Sequence, residues 1–167
     1  MNSIRLPRVM LAAPSSGGGK TTAICALLKA LEMRGAKASA CKCGPDYIDP
    51  MFHRKVMGVP SVNLDLFFSD AETVKYLMAK NARNSDITVI EGVMGYYDGM
   101  SMSGAEASSY DIARKTGTPV ILVMPCRGAA YTLAAVIRGI TEFKSDSNIQ
   151  GIILNNISKI ITNKSIA

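Results

Sequence analysis

The chain is written as short apolar runs separated by longer stretches in which apolar residues return every three or four positions. Nearly continuous runs fall at Arg8–Ala13, Ala36–Lys42, Ile87–Glu91, Pro119–Met124 and Gln150–Asn155, and their lengths suit strands. Helical spacing marks Lys20–Arg34, Asp70–Asn81, Gly104–Lys115 and Gly128–Phe143, several of which open on a small or acidic residue. Val120-Ile-Leu-Val-Met124 contains no polar position, as a strand covered on both faces requires. This alternation predicts an α/β fold of three layers around a mainly parallel sheet. Cys43–Pro60 and Gly92–Ser103 show neither period and read as long loops. Both follow strand ends, the edge at which open α/β sheets place their ligands.

Composition narrows the picture only slightly. At 167 residues the chain has the length of one domain. No apolar run approaches the ~20 residues of a bilayer span, so a soluble protein with no membrane partner is expected. Val9–Ala13 is shorter than a secretory apolar region and leads into glycines, so it reads as a first buried strand. The four cysteines (Cys25, Cys41, Cys43, Cys126) fit neither a C-x-x-C nor a zinc spacing, and reduced thiols in a cytoplasmic protein are the expectation. The net charge is +6, from 19 basic and 13 acidic side chains. An anionic partner suits that balance, and so does a merely solvated surface. The basic residues are scattered with no interleaved aromatics, so nucleic acid is not expected.

The most informative stretch is Ala13-Pro-Ser-Ser-Gly-Gly-Gly-Lys-Thr-Thr22, between the first strand and the first helix. Binding a phosphoryl group takes several converging backbone N–H groups, and glycines let the chain curl closely enough to present them. Ser16, Gly17, Gly18 and Gly19 would form this P-loop-type turn, with the helix N-terminus facing the same anion. Lys20 would reach the β and γ phosphates, the Thr21 hydroxyl would ligate Mg²⁺, and Thr22 would continue the phosphate contacts. Pro14 stands where the strict pattern has its first glycine. Glu91 ends an apolar strand, where an acid can help to hold the metal ion, though it could also cap a turn.

Further blocks carry a resemblance. Lys42-Cys-Gly-Pro-Asp-Tyr-Ile-Asp-Pro50, Met51-Phe-His53, Asn63-Leu-Asp65 and Glu91-Gly-Val-Met-Gly-Tyr-Tyr-Asp-Gly99 closely resemble segments of the cobyrinic acid a,c-diamide synthases. With the phosphate loop in the same order, Arg8 to about Asn156 is similar to the N-terminal synthetase domain of that family. The resemblance implies a P-loop NTPase-like fold akin to dethiobiotin synthetase, with ATP and Mg²⁺ as cofactors. It also implies amidation of the a and c acetate groups of cobyrinic acid, or a related polycarboxylate tetrapyrrole, through an acyl phosphate that ammonia displaces. By the same resemblance Lys20, Lys42, Asp46, Asp49 and Glu91 serve catalysis, and Thr21, Asp46 and Glu91 hold the metal. Tyr47, Asp49, His53, Asn63, Asp65, Tyr97 and Asp98 would line the substrate, and Asn155 would read the adenine base.

Each of these positions also has a plain structural reading. Asp46 and Asp49 stand beside prolines and could be turn residues, His53 could be a packing histidine, and Asn63, Asp65 and Asn155 could cap or turn the chain. The tyrosines could be core. Family members continue into a glutaminase domain, whereas this sequence stops at Ala167. The expectation is therefore one incomplete synthetase domain over residues 1–167, with ammonia free or supplied by another chain, and with uncovered apolar surface that favours a homodimer. A dethiobiotin synthetase-like ligase, a nucleotide-dependent partner-binding ATPase and an inactive fragment are the rival readings. The ATPase usually carries a second lysine where Ser15 and Ser16 stand.

Overall fold

The computed structural model describes residues 6–101 and 104–157. Six strands and five helices follow in the order β1 (Arg8–Ala12), α1 (Lys20–Met33), β2 (Ala38–Cys43), α2 (Ile48–Lys55), β3 (Ser61–Leu64), α3 (Ala71–Asn81), β4 (Ile87–Glu91), α4 (Ser109–Thr116), β5 (Val120–Pro125), α5 (Tyr131–Glu142) and β6 (Ile149–Asn155). The strands form one sheet in the order β3-β2-β4-β1-β5-β6. Every pairing is parallel.

Period-two alternation decides what each face of the sheet carries. Leu11, Ala40, Val89 and Val123 face Ile24 and Leu28 of α1. Met10, Cys41, Ile90 and Leu122 face the opposite way, against Val74 and Met78 of α3, Ile112 of α4, and Leu133 and Ile137 of α5. Three layers result, as the alternation predicts. Each fully buried Leu, Ile or Met contributes about 1.5–3 kcal/mol, and that burial fixes strand register and hence the rows at the strand ends.

The predicted elements need four corrections. The segment Cys43–Pro60 is not a continuous loop: it contains α2, and a sixth strand, β3, follows it. Pro50 falls in the first turn of α2, where a missing N–H costs nothing, and Asp46 accepts from the N–H groups of Ile48 and Asp49 to start the helix. The fourth helix begins at Ser109, because Ser108 caps it by accepting from the Asp111 N–H. The fifth begins at Tyr131, after Gly128 turns with φ of 72°. Residues 92–101 contain no helix or strand, as expected.

Candidate functional site

Two loops meet at the carboxyl edge of the sheet. The first, Ala13–Gly19, leaves β1 and enters α1 through left-handed Gly17 (φ 74°) and Gly19 (φ 92°). No side chain caps α1, so its first N–H groups stay available to an anion at the positive end of the helix. A Cβ on Gly19 would overlap the Asn155 amide, which itself donates to the Gly18 carbonyl (3.2 Å).

The second loop follows β4 and lies against the first. The Gly92 and Tyr96 N–H groups donate to the carbonyls of Leu11 and Ala13 (2.9 and 2.8 Å). Gly95 has no room for a side chain, since a Cβ would press into the Pro14 carbonyl and the Asp98 carboxylate. Lys20 joins the two loops by donating to the Ser15 carbonyl (3.1 Å) and the Met94 carbonyl (2.7 Å). Burial, and then the charge of Lys42, pull the Lys20 pKa below its ordinary value, with Glu91 and Asp98 opposing. Met94 holds φ at 46°, a conformation that costs a residue with a Cβ about 1–2 kcal/mol. It presents the carbonyl that Lys20 binds.

Register builds the charged centre. Lys42 on β2 is the direct neighbour of Glu91 on β4, and both face α1. The Lys42 ammonium lies 3.1 Å from Glu91 Oε1, 2.7 Å from Asp49 Oδ2 and 3.9 Å from Asp46 Oδ2. Thr21 Oγ1 donates to Glu91 Oε1 at 2.6 Å. Burial alone would lower the Lys42 pKa, but the hydrogen bond to Asp49 and the charge of Glu91 outweigh it and the net shift is upward. The lysine stays charged.

Around this centre the other candidate residues divide. Asn63 donates to the carbonyls of Gly44 and Asp46 (2.9 and 2.6 Å), which pins the turn that carries Asp46. Asp98 accepts from the Gly95 N–H (2.9 Å) and shapes its loop. Tyr47 is 78% exposed beside the acids, and Thr22 is exposed on α1. Asp65 accepts from the Phe67 N–H with one oxygen, and its other oxygen is buried without a partner. Tyr97 donates to the Ile140 carbonyl (2.9 Å) and packs against Tyr96, Tyr110 and Phe143. His53 is wholly buried, with Nδ1 3.3 Å from Ser61 Oγ and Nε2 4.0 Å from Glu91 Oε2. Past Met94 and Asp98 opens a cavity of about 640 Å³ whose lining includes Tyr97, Met100, Phe143 and Lys144.

Among the described residues no three His, Cys, Asp or Glu converge as a metal cage. Mg²⁺ at a nucleotide site needs only one or two carboxylates, because phosphate and water oxygens complete its shell. Thr21 and Glu91, whose Oε1 lies 2.6 Å from the Thr21 hydroxyl, fit that requirement. Asp46 shares Lys42 with Glu91 while its other oxygen is taken by the start of α2. Sequence reasoning overlooked Ser61 and Met94. The Met94 contribution is a backbone carbonyl, which no residue type encodes.

The sequence matches no family model. The cobyrinate a,c-diamide synthase of Thermoplasma acidophilum is 42% identical over 155 residues, covering 93% of this chain and 34% of that protein. That of Clostridium acetobutylicum is 46% identical over 151 residues (90% and 34%). The hydrogenobyrinate a,c-diamide synthase of Streptomyces coelicolor is 41% identical over 153 residues (92% and 32%). The chain spans about a third of the length of the curated relatives it matches. Among solved structures, the signal recognition particle receptor FtsY of Elizabethkingia anophelis superposes with a TM-score of 0.62 at 16% identity, over 92% of this chain and 51% of that one. The signal recognition particle 54 kDa protein of Aeropyrum pernix gives 0.64 at 16% identity, over 96% and 38%. At such identities the likeness is one of fold.

Proposed function

The chain belongs to the cobyrinate a,c-diamide synthase family over the third of its members' length that it spans, and from that membership we propose that it forms the ATP-binding part of an amidoligase acting on acetate side chains of a cobyrinic acid-type tetrapyrrole. One observation carries this reading: Glu91 is gripped by Thr21 of the phosphate loop and by Lys42, which itself reaches Asp49. The phosphate loop and the acid-bearing turn are thus linked through Glu91 and one buried lysine.

A carboxylate is a poor electrophile because ammonia would have to expel oxide. In the proposed reaction a carboxylate oxygen attacks the γ-phosphorus and ADP leaves. Ammonia then attacks the acyl carbon, phosphate departs, and the excess proton passes to solvent. The N–H groups of Gly17–Gly19 and α1 bind the triphosphate, and Lys20 exchanges its carbonyl partners for phosphate oxygens. Lys42 offsets negative charge gathering on the acyl phosphate, and Asp46 and Asp49 keep it in place. Mg²⁺ held by Thr21 and Glu91 would neutralise the β and γ oxygens. The cavity beyond Met94, rimmed by Lys144 and the aromatic rings of Tyr97 and Phe143, suits an apolar, acid-bearing macrocycle. Cytoplasmic location and free or externally supplied ammonia belong to the same reading.

The test has two arms. Titration of the chain with Mg·ATP is expected to show saturable binding that Lys20→Ala weakens tenfold or more, since a lost charge-assisted contact costs about 1.5–3 kcal/mol. With the chain extended to its relatives' length, Mg·ATP, ammonium and cobyrinic acid are expected to yield the acid-to-amide mass change. Equal binding by Lys20→Ala would remove the phosphate-loop assignment, and ATP turnover without amidation of any tetrapyrrole would remove the substrate.

A further inference from the structure

Beside the charged centre lies a buried chain of three side chains from three elements: Ser61 on β3, His53 on α2 and Glu91 on β4. His53 and Glu91 are wholly buried and Ser61 nearly so. Ser61 Oγ stands 3.3 Å from His53 Nδ1, and His53 Nε2 stands 4.0 Å from Glu91 Oε2. Nε2 and Oε2 are both enclosed and both lack any other hydrogen-bond partner. The other carboxylate oxygen, Oε1, accepts from Thr21 and lies 3.1 Å from the Lys42 ammonium. Two buried orphans that face each other are complementary only if one carries a proton. The carboxylate, with Lys42 beside it, is the acceptor.

We propose that Ser61, His53 and Glu91 form a hydrogen-bond relay in which His53, as its Nε2–H tautomer, is a positioning residue that fixes the rotation of the Glu91 carboxylate. The Ser61 hydroxyl donates to Nδ1, which leaves the ring proton on Nε2, directed at Oε2. A shift of about 1 Å brings the pair to ordinary hydrogen-bond length. The opposite tautomer would put the Nε2 lone pair against a carboxylate lone pair in a site without solvent. A neutral imidazole carries a single ring proton, so which nitrogen holds it decides whether Nε2 can donate to Oε2. With Oε2 held from behind, Oε1 stays turned toward Thr21 and Lys42. A group that orients a metal-binding carboxylate from outside tunes metal affinity without touching the metal. That consequence rests on the nucleotide-binding reading above, whereas the relay itself does not.

His53 is the chain's only histidine, so its ring nitrogens give an unambiguous long-range ¹H–¹⁵N spectrum. In the nucleotide-free chain at neutral pH, Nε2 is expected to be protonated and Nδ1 bare, and Ser61→Ala should mix the two tautomers. A protonated Nδ1, or an even mixture in the unaltered chain, would overturn the relay. For the consequence, the Mg²⁺ concentration that half-saturates binding of a fluorescent ATP analogue is expected to rise about tenfold in His53→Leu. It should recover in His53→Gln, whose amide can still donate, while affinity for metal-free nucleotide stays constant. An unchanged Mg²⁺ requirement in His53→Leu would refute the positioning role. Ser61→Ala removes only a hydroxyl and is expected to raise that requirement in the same direction, so the test survives if the leucine variant does not fold. Failure of every form to bind nucleotide would count against the phosphate-loop reading, and the tautomer would still decide the relay.

Discussion

At the scale of single residues, Lys42 is the side chain on which most of the site depends. It is buried, and it neutralises Glu91 and Asp49 together. Removing one partner of a buried ion pair costs about 3–5 kcal/mol because the other charge is left uncompensated. Lys42→Met is therefore expected to lower the unfolding free energy obtained from urea titration by that much, and adding Glu91→Gln should restore part of it. Additive losses would show that the two charges do not interact. Gly19 is the second such position. Gly19→Ala meets both a left-handed backbone (φ 92°) and the Asn155 amide, so nucleotide binding should be lost, and Asn155→Ala should recover only the part due to overlap. The turn at Gly17–Gly19 and the start of α1 at Lys20 were legible in the sequence, because a glycine run between an apolar strand and a helical period dictates them. Ser61 was not, since a serine in a short polar stretch signals nothing until a buried histidine is placed over it.

At the scale of elements, α4 is anchored by Asp111. This nearly buried carboxylate accepts from Arg114 and Lys115 (2.9 Å each) and from the Ala107 N–H (3.1 Å). Burial alone would raise its pKa, but the hydrogen bonds from Lys115 and Arg114 outweigh it and the net shift is downward from 3.8. A carboxyl whose folded pKa is depressed contributes stability that is present above pH 3.8 and is lost as pH falls through the folded value. Asp111→Asn is expected to cost about 1–3 kcal/mol at neutral pH and to flatten the acid limb of the stability curve. An unchanged acid limb would assign that limb to other groups. The apolar runs of β1, β4 and β5 were readable because burial on both faces leaves few polar positions, Arg8, Thr88 and Glu91 being the exceptions. The helix α2 was not, because Pro50 and a run of charged residues hide two turns whose start depends on the hydrogen bonds that Asp46 accepts from Ile48 and Asp49. The strand β3 was missed because Ser61 and Asn63 are polar, one facing His53 and the other bonded to the Asp46 turn.

At the scale of the whole molecule, the sheet's two edges differ. Among the described residues β6 pairs only with β5, and its Ile152, Ile153 and Leu154 are 38%, 40% and 47% exposed. An apolar edge strand is a template for pairing with another chain. Concentration-dependent association is expected in sedimentation, with Ile153→Lys suppressing it at an unchanged unfolding midpoint. A chain that stays monomeric at every concentration would contradict this. The position of β1 has a different consequence. It lies at the centre of the sheet between β4 and β5, so both its neighbours are synthesised long after it. Such non-local pairing forms late and slowly. The phosphate loop hangs from the end of β1 and acquires its shape only once both neighbours have docked. A nascent chain can therefore hold no nucleotide, and ATP added during refolding should leave the folding rate untouched while slowing unfolding.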